Sequence, residues 1–196
     1  MLTLTKPNNN LKTKKMKKLI TTTLIIIFLV NTAMSQIFDG INLKENTEDL
    51  IEKLEKKGFN FDYGMGNTIR LSGQYDNKET SVYIVNTNKS NKPVVLSAYV
   101  GDSKTWSELL NEYKKYVKVF SDKYGNPDMY FASFKAPYDK NYKGNEMEAV
   151  KNDKSNFISE WTRDGINYSV EIFRYNSIII TYRNEENFEL NKIELK

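Results

Sequence analysis

The chain has 196 residues and contains neither cysteine nor histidine. Those two absences exclude disulfide frameworks, thiolate nucleophiles, the usual zinc sites and imidazole catalysis. Arginine is scarce, with only Arg70, Arg163, Arg174 and Arg183. Readers of phosphate and base edges favour its planar fork, so nucleic acid is not expected as a partner. Proline (4) and glycine (9) are few, and no Gly/Ser/Pro-rich linker divides the chain. The one G-x-G, Gly64-Met65-Gly66, lacks a third glycine and a following helix, so it gives no phosphate cradle. What is present is a core: 39% hydrophobic and 13% aromatic residues are enough to fold one domain or two small ones.

The formal charge of +4 comes from one end. Residues 1–35 hold six lysines and no acid, leaving 23 basic and 25 acidic side chains in residues 36–196. Lys12, Lys14, Lys15, Lys17 and Lys18 precede the apolar run Leu19–Val30, and Ala33-Met34-Ser35 places small residues before Gln36. This is the pattern of a secretory signal peptide over residues 1–35, with cleavage near Ser35/Gln36 and either Met1 or Met16 as the start. The run is too short to span a bilayer. Without cysteine no lipid can be attached to an N-terminal Cys. The mature chain is expected to be periplasmic or secreted, with no membrane span.

From Gln36 onward the periodicity predicts α+β structure. A helix starts at Asn46-Thr47, buries Leu50, Ile51 and Leu54, and stops at Gly58. Phe59–Tyr63 reads as a short strand, followed by strands at Ile69–Tyr75, Ser81–Asn86 and Val94–Val100. Thr105-Trp106-Ser107-Glu108 fits a capping box opening a second helix, with a stripe from Trp106 through Tyr113 to Tyr124. Gly125 and Pro127 end it. Met129–Phe134 is extended, Glu146–Asn152 a short helix, and Asn156–Arg163, Ile166–Arg174 and Ile178–Arg183 are strands. Helix plus three strands therefore occurs twice, as residues 36–101 and 102–196, expected to share a sheet or core in one compact unit.

Helix endings and core positions carry a resemblance. Phe38-Asp39-Gly40-Ile41, the Gly58-Phe59 helix exit and Trp106…Tyr113…Lys123-Tyr124-Gly125-Asn126-Pro127 resemble small exported bacterial proteins of BLIP-like fold. That fold is named for a β-lactamase inhibitor protein with two tandem helix–loop–sheet repeats. The resemblance spans residues 37–187 and implies helices packed on one face of three-stranded antiparallel sheets. The Gly-x-Pro ending is also similar to envelope assembly proteins of the SmpA/OmlA type, whose lipidated cysteine is absent here.

Strand registers divide the side chains. An Asp164-Gly165 turn sets Trp161 opposite Tyr168 and Ser159 opposite Val170 on a helix-facing side. A turn over Tyr175–Ser177 sets Ile180 against Ile172, and a turn over Asp76–Glu79 sets Val82 against Gly73. The opposite side carries Tyr83, Val85, Val95 and Tyr99 in the first half, and Glu160, Glu171, Phe173, Ile179 and Arg183 in the second. Aromatic and aliphatic groups mixed with a few charges suit a binding surface. They equally suit a half-exposed sheet, since strands select such residues.

Catalytic, metal and cofactor sites are not expected. Glu160 and Glu171 share a face and pose the question of a glycosidase pair, but a cross-strand salt cluster accounts for them equally. Asp139–Gly144 opens like a calcium loop, yet Lys143 and Val150 stand where ligands belong. The expected function is non-catalytic binding of a protein or glycan outside the cytoplasm. The alternatives are a carboxylate-dependent hydrolase and a cell-envelope assembly accessory factor.

Overall fold

A computed structural model describes residues 40–139 and 143–195. The expected leader and cleavage site lie outside the described residues, as do residues 140–142 of the calcium-like loop. Gly40–Lys196 form one compact unit.

The first helix, α1 (Thr47–Lys56), is capped by the Asn46 side chain, which accepts from the Asp49 N–H at 2.8 Å. Strands β1 (Asn60–Met65), β2 (Thr68–Tyr75), β3 (Lys78–Asn86) and β4 (Pro93–Val100) follow. Helix α2 (Trp106–Tyr124) opens with the capping box, Thr105 and Glu108 satisfying each other's backbone N–H groups. Then come β5 (Met129–Phe134), α3 (Glu146–Lys151), β6 (Ser155–Arg163), β7 (Ile166–Phe173), β8 (Ser177–Asn184) and α4 (Glu185–Glu194).

All eight strands join one antiparallel sheet in the order β1-β2-β3-β4-β8-β7-β6-β5. The class is α+β, but the expected tandem of three-stranded sheets is not found. The short strand expected at 59–63 is β1, and the extended piece expected at 129–134 is the full strand β5; the two form the edges of the sheet. The seam is the β4–β8 pairing, Val95 opposite Arg183 through Val100 opposite Ile178.

Two registers differ from expectation by two residues, which preserves the face. The β2–β3 connection is a two-residue turn, Asp76-Asn77, with φ of 54° and 60° at the two positions. That left-handed pair is what a type I′ hairpin turn requires, so Val82 lies opposite Leu71, and Ile69 opposite Ile84. The β7–β8 loop is Arg174–Asn176, which sets Ile172 opposite Ile178 and Val170 opposite Ile180. The expected pairs Trp161/Tyr168 and Ser159/Val170 are present.

Helix α2 lies across one face of the sheet. Phe120 packs among Trp161, Tyr168 and Tyr182 at centroid distances of 5.4, 6.2 and 6.0 Å. The Trp161 indole N–H donates to the Gly125 carbonyl at 2.9 Å, so the buried ring keeps its polar bond. Leu71, Val82, Ile84, Leu96, Ala98, Val170 and Ile180 complete this core at 0% exposure. Lys78 bridges Glu112 (3.2 Å) and Lys115 pairs with Asp76, which clip the β2–β3 hairpin to α2.

Candidate functional site

The face turned away from α2 carries an aromatic row that crosses the seam. Tyr83 on β3 meets Tyr99 on β4 edge-on, at 5.4 Å and 80°. Tyr99 meets Phe173 on β7 at 5.5 Å and 73°, reaching across β8. Phe173 then meets Tyr175 of the β7–β8 loop at 5.4 Å and 73°. Perpendicular geometry sets the positive edge of one ring against the negative face of the next, so each contact adds about 0.5–1.5 kcal/mol beyond burial. The row is preorganised by its own members.

Each end carries an arginine. The Arg70 guanidinium lies 6.0 Å from the Tyr63 ring and 5.9 Å from the Tyr83 ring. It bonds the Ser81 hydroxyl at 3.0 Å and Asp62 at 3.3 Å. At the other end Arg174 sits 5.5 Å from Phe173 and 5.0 Å from Tyr175, and it is exposed. Each arginine lies within cation–π range of two rings, and these contacts consume none of the guanidinium donors.

Between the arginines the row borders an open hollow of about 1120 Å3. Its lining includes Ser72, Ser81 and Ser177, small hydroxyl side chains placed among the rings. Small residues leave depth, aromatics supply walls, and the arginines supply directional donors; binding clefts combine these three elements.

Apart from the Glu160/Glu171 pair, the sequence-predicted residues divide into three groups. Tyr83, Tyr99 and Phe173 form the row and line the hollow. Ile179, at 8% exposure, lies between its cross-strand partners Tyr99 and Glu171 and offers no free surface. Val85, Val95 and Arg183 are half-buried and form the next outward-facing cross-strand row beyond Tyr83, toward α4. Arg183 is committed within the chain: it pairs with Glu185 at 2.7 Å and lies 5.0 Å from the Phe188 ring. Both partners belong to α4, a helix that the sequence periodicity does not predict. Sequence reading also passed over Arg70, Arg174, Tyr175 and Tyr63. Arg70 and Tyr63 alternate onto the same face, and that period-two signal was available for Arg70 from the β2 pattern.

Glu160 and Glu171 are diagonal neighbours, Glu160 opposite Ser169 and Glu171 opposite Ile158. Burial pushes the Glu171 carboxyl above its usual range; Asp153 and Glu160 add to this and Lys135 opposes it. Neither carboxylate lines the hollow. Tyr99 is likewise raised, first by burial and then by Tyr83 and Glu171, with Arg174 countering. Among the described residues no group of three acidic side chains is placed to hold a metal, and no helix is long and apolar enough to cross a membrane.

No protein-family model matches this chain, and neither a curated protein nor a solved structure matches it.

Proposed function

We propose that the protein is an exported, non-catalytic binding protein that holds a protein or glycan partner against the Tyr83–Tyr99–Phe173 row. One observation carries this reading: three rings from three strands interlock at 5.4–5.5 Å beside an open hollow, with an oriented arginine at each end. Rigid rings contribute contact area at low entropic cost, and the arginines fix direction. The leader pattern of residues 1–35 supports a periplasmic or secreted location, and the resemblance to BLIP-like exported proteins points the same way. A chain without His or Cys, whose acidic pair lies outside the hollow, favours binding over hydrolysis.

The test compares wild type with a Tyr83→Ala/Phe173→Ala variant on an array of bacterial surface glycans and in capture from cell-envelope extract. Loss of two central aromatic anchors should weaken retention at least about tenfold. Circular dichroism should show an unchanged fold, because both side chains lie outside the α2-covered core. Equal retention by both proteins rejects this surface. Turnover of a glycan that disappears in Glu160→Gln and Glu171→Gln would install the hydrolase reading instead.

A further inference from the structure

The sheet has two edges, and they are built differently. At the β1 edge the register shifts between Phe61 and Tyr63, Asp62 turns to pair with Arg70, and Gly64 interrupts the side-chain row. A bulge, a charge and a glycine are devices that keep an edge from pairing with another chain. At the β5 edge none of them is present. Met129–Phe134 reads Met-Tyr-Phe-Ala-Ser-Phe, without charge, glycine or proline. Its pairing to β6 is unbroken over six residues, and Met129, Tyr130 and Phe131 are 39%, 58% and 45% exposed.

The pattern of this strand is complementary to itself. The Lys135 N–H donates inward to the Lys154 carbonyl at 2.7 Å. Alternation in an antiparallel ladder then turns the backbone groups of Phe134, Ala132 and Tyr130 outward. A second copy related by a two-fold axis through Ala132 would pair Ala132 with Ala132, and Tyr130 of each chain with Phe134 of the other. Alanine stands where the two chains cross, leaving room. Phe134 already lies 5.3 Å from Trp106 and 5.2 Å from Phe157, so the incoming Tyr130 ring would extend an aromatic cluster. On the other face Lys135 would arrive opposite Met129, whose neighbour across the ladder is Glu160. Lys135 already acts on Glu171 of its own chain, and the pairing would add the partner's Glu160 as a second carboxylate at each end.

We propose that β5 is a homodimer edge: two copies pair antiparallel about Ala132, with Tyr130 packed on the partner's aromatic cluster, to give a continuous sixteen-stranded sheet. This does not depend on the aromatic row, which lies across the seam. One strand pair is small for an interface, so association is concentration-dependent.

Sedimentation equilibrium of the purified protein up to about 1 mM, and cysteine cross-linking, test it together. The cysteine-free background makes the second experiment clean. Ala132→Cys places two thiols on residues whose Cα atoms sit about 5.5 Å apart in a hydrogen-bonded pair, within disulfide reach. Under mild oxidation it should give covalent dimer well in excess of Asn77→Cys, at the tip of the β2–β3 turn. Ala132→Pro removes an outward N–H, and Tyr130→Lys adds an edge charge; each should weaken dimerisation at least tenfold while circular dichroism is unchanged. A wild type monomeric throughout the range overturns the proposal. So does a dimer that survives both substitutions, or cross-linking by Ala132→Cys no better than the control.

Discussion

Tyr113 and Tyr116 stand three residues apart on α2, 2% and 1% exposed. The Tyr113 hydroxyl is 2.8 Å from the Ser159 hydroxyl beneath the helix. The Tyr116 hydroxyl is buried without a hydrogen-bond partner among the described residues, its ring stacked on Tyr75 at 5.8 Å. Removing one member of a satisfied buried pair strands the other, whereas removing an orphan strands nothing. Tyr113→Phe should therefore cost about 1–2 kcal/mol in urea unfolding, and Tyr116→Phe should be neutral or stabilising. Equal losses in the two variants would contradict this assignment. Glu171 makes a pH-dependent counterpart. Its carboxyl is raised above 4.5, chiefly by burial, so the folded chain holds that proton more tightly than the unfolded one. Its contribution to stability is greatest below pH 4.5 and falls as pH rises through the window between 4.5 and the raised folded value. Glu171→Gln should melt higher than wild type at pH 7, with the gap closing at pH 4. A variant that melts lower at pH 7 would place a stabilising partner on the carboxylate.

At the scale of elements, local chemistry accounts for most boundaries. The α2 start was legible because Thr105 and Glu108 stand at the only spacing that closes a capping box, and Thr105→Ala should cost about 1 kcal/mol by thermal melting. Strand faces were legible because alternation survives a slip of two residues, and Val82, Ile84 and Leu96 are buried as expected. The length of the β2–β3 turn was not, since Asp76-Asn77 lacks the glycine that marks the expected two-residue turn at Asp164-Gly165. Gly73 shows a constraint that no local pattern reveals. A Cβ there would lie 2.9 Å from the Gly58 carbonyl and 2.9 Å from the Phe59 ring, where the chain leaves α1. Gly73→Ala should destabilise by about 1–3 kcal/mol, measured by denaturant unfolding. Helix α4 is not announced by an apolar stripe, because Phe188, Leu190, Ile193 and Leu195 follow one another at steps of two, three and two residues. Its place is held by polar contacts instead: Asn187 bonds the Pro93 carbonyl at 2.7 Å, and Glu194 accepts the Lys89 N–H at 2.6 Å.

Across the whole molecule, the partition into halves was only partly legible, because sequence periodicity describes strands but not which strand neighbours which. Tyr83, Tyr99 and Phe173 could be assigned to one face in separate halves; that they touch required the β4–β8 seam. Arg174 and Tyr175 fall in a loop, where a two-residue period says nothing about direction. Charge partition is testable at this scale. The protein recovered outside the cytoplasm should begin at Gln36 by N-terminal sequencing; recovery with residues 1–35 attached would contradict the proposed cleavage.

The central seam joins residues 95–100 to residues 178–183, so the middle of the sheet cannot zip until Ser177–Asn184 has been made. A ribosome that has delivered four strands leaves β4 with a raw flank, and pairing over so long a separation is slow. Nascent chains arrested before Ser177 should accordingly stay protease-sensitive and sticky, and release of residues 177–196 should bring protection of the first half and the second together.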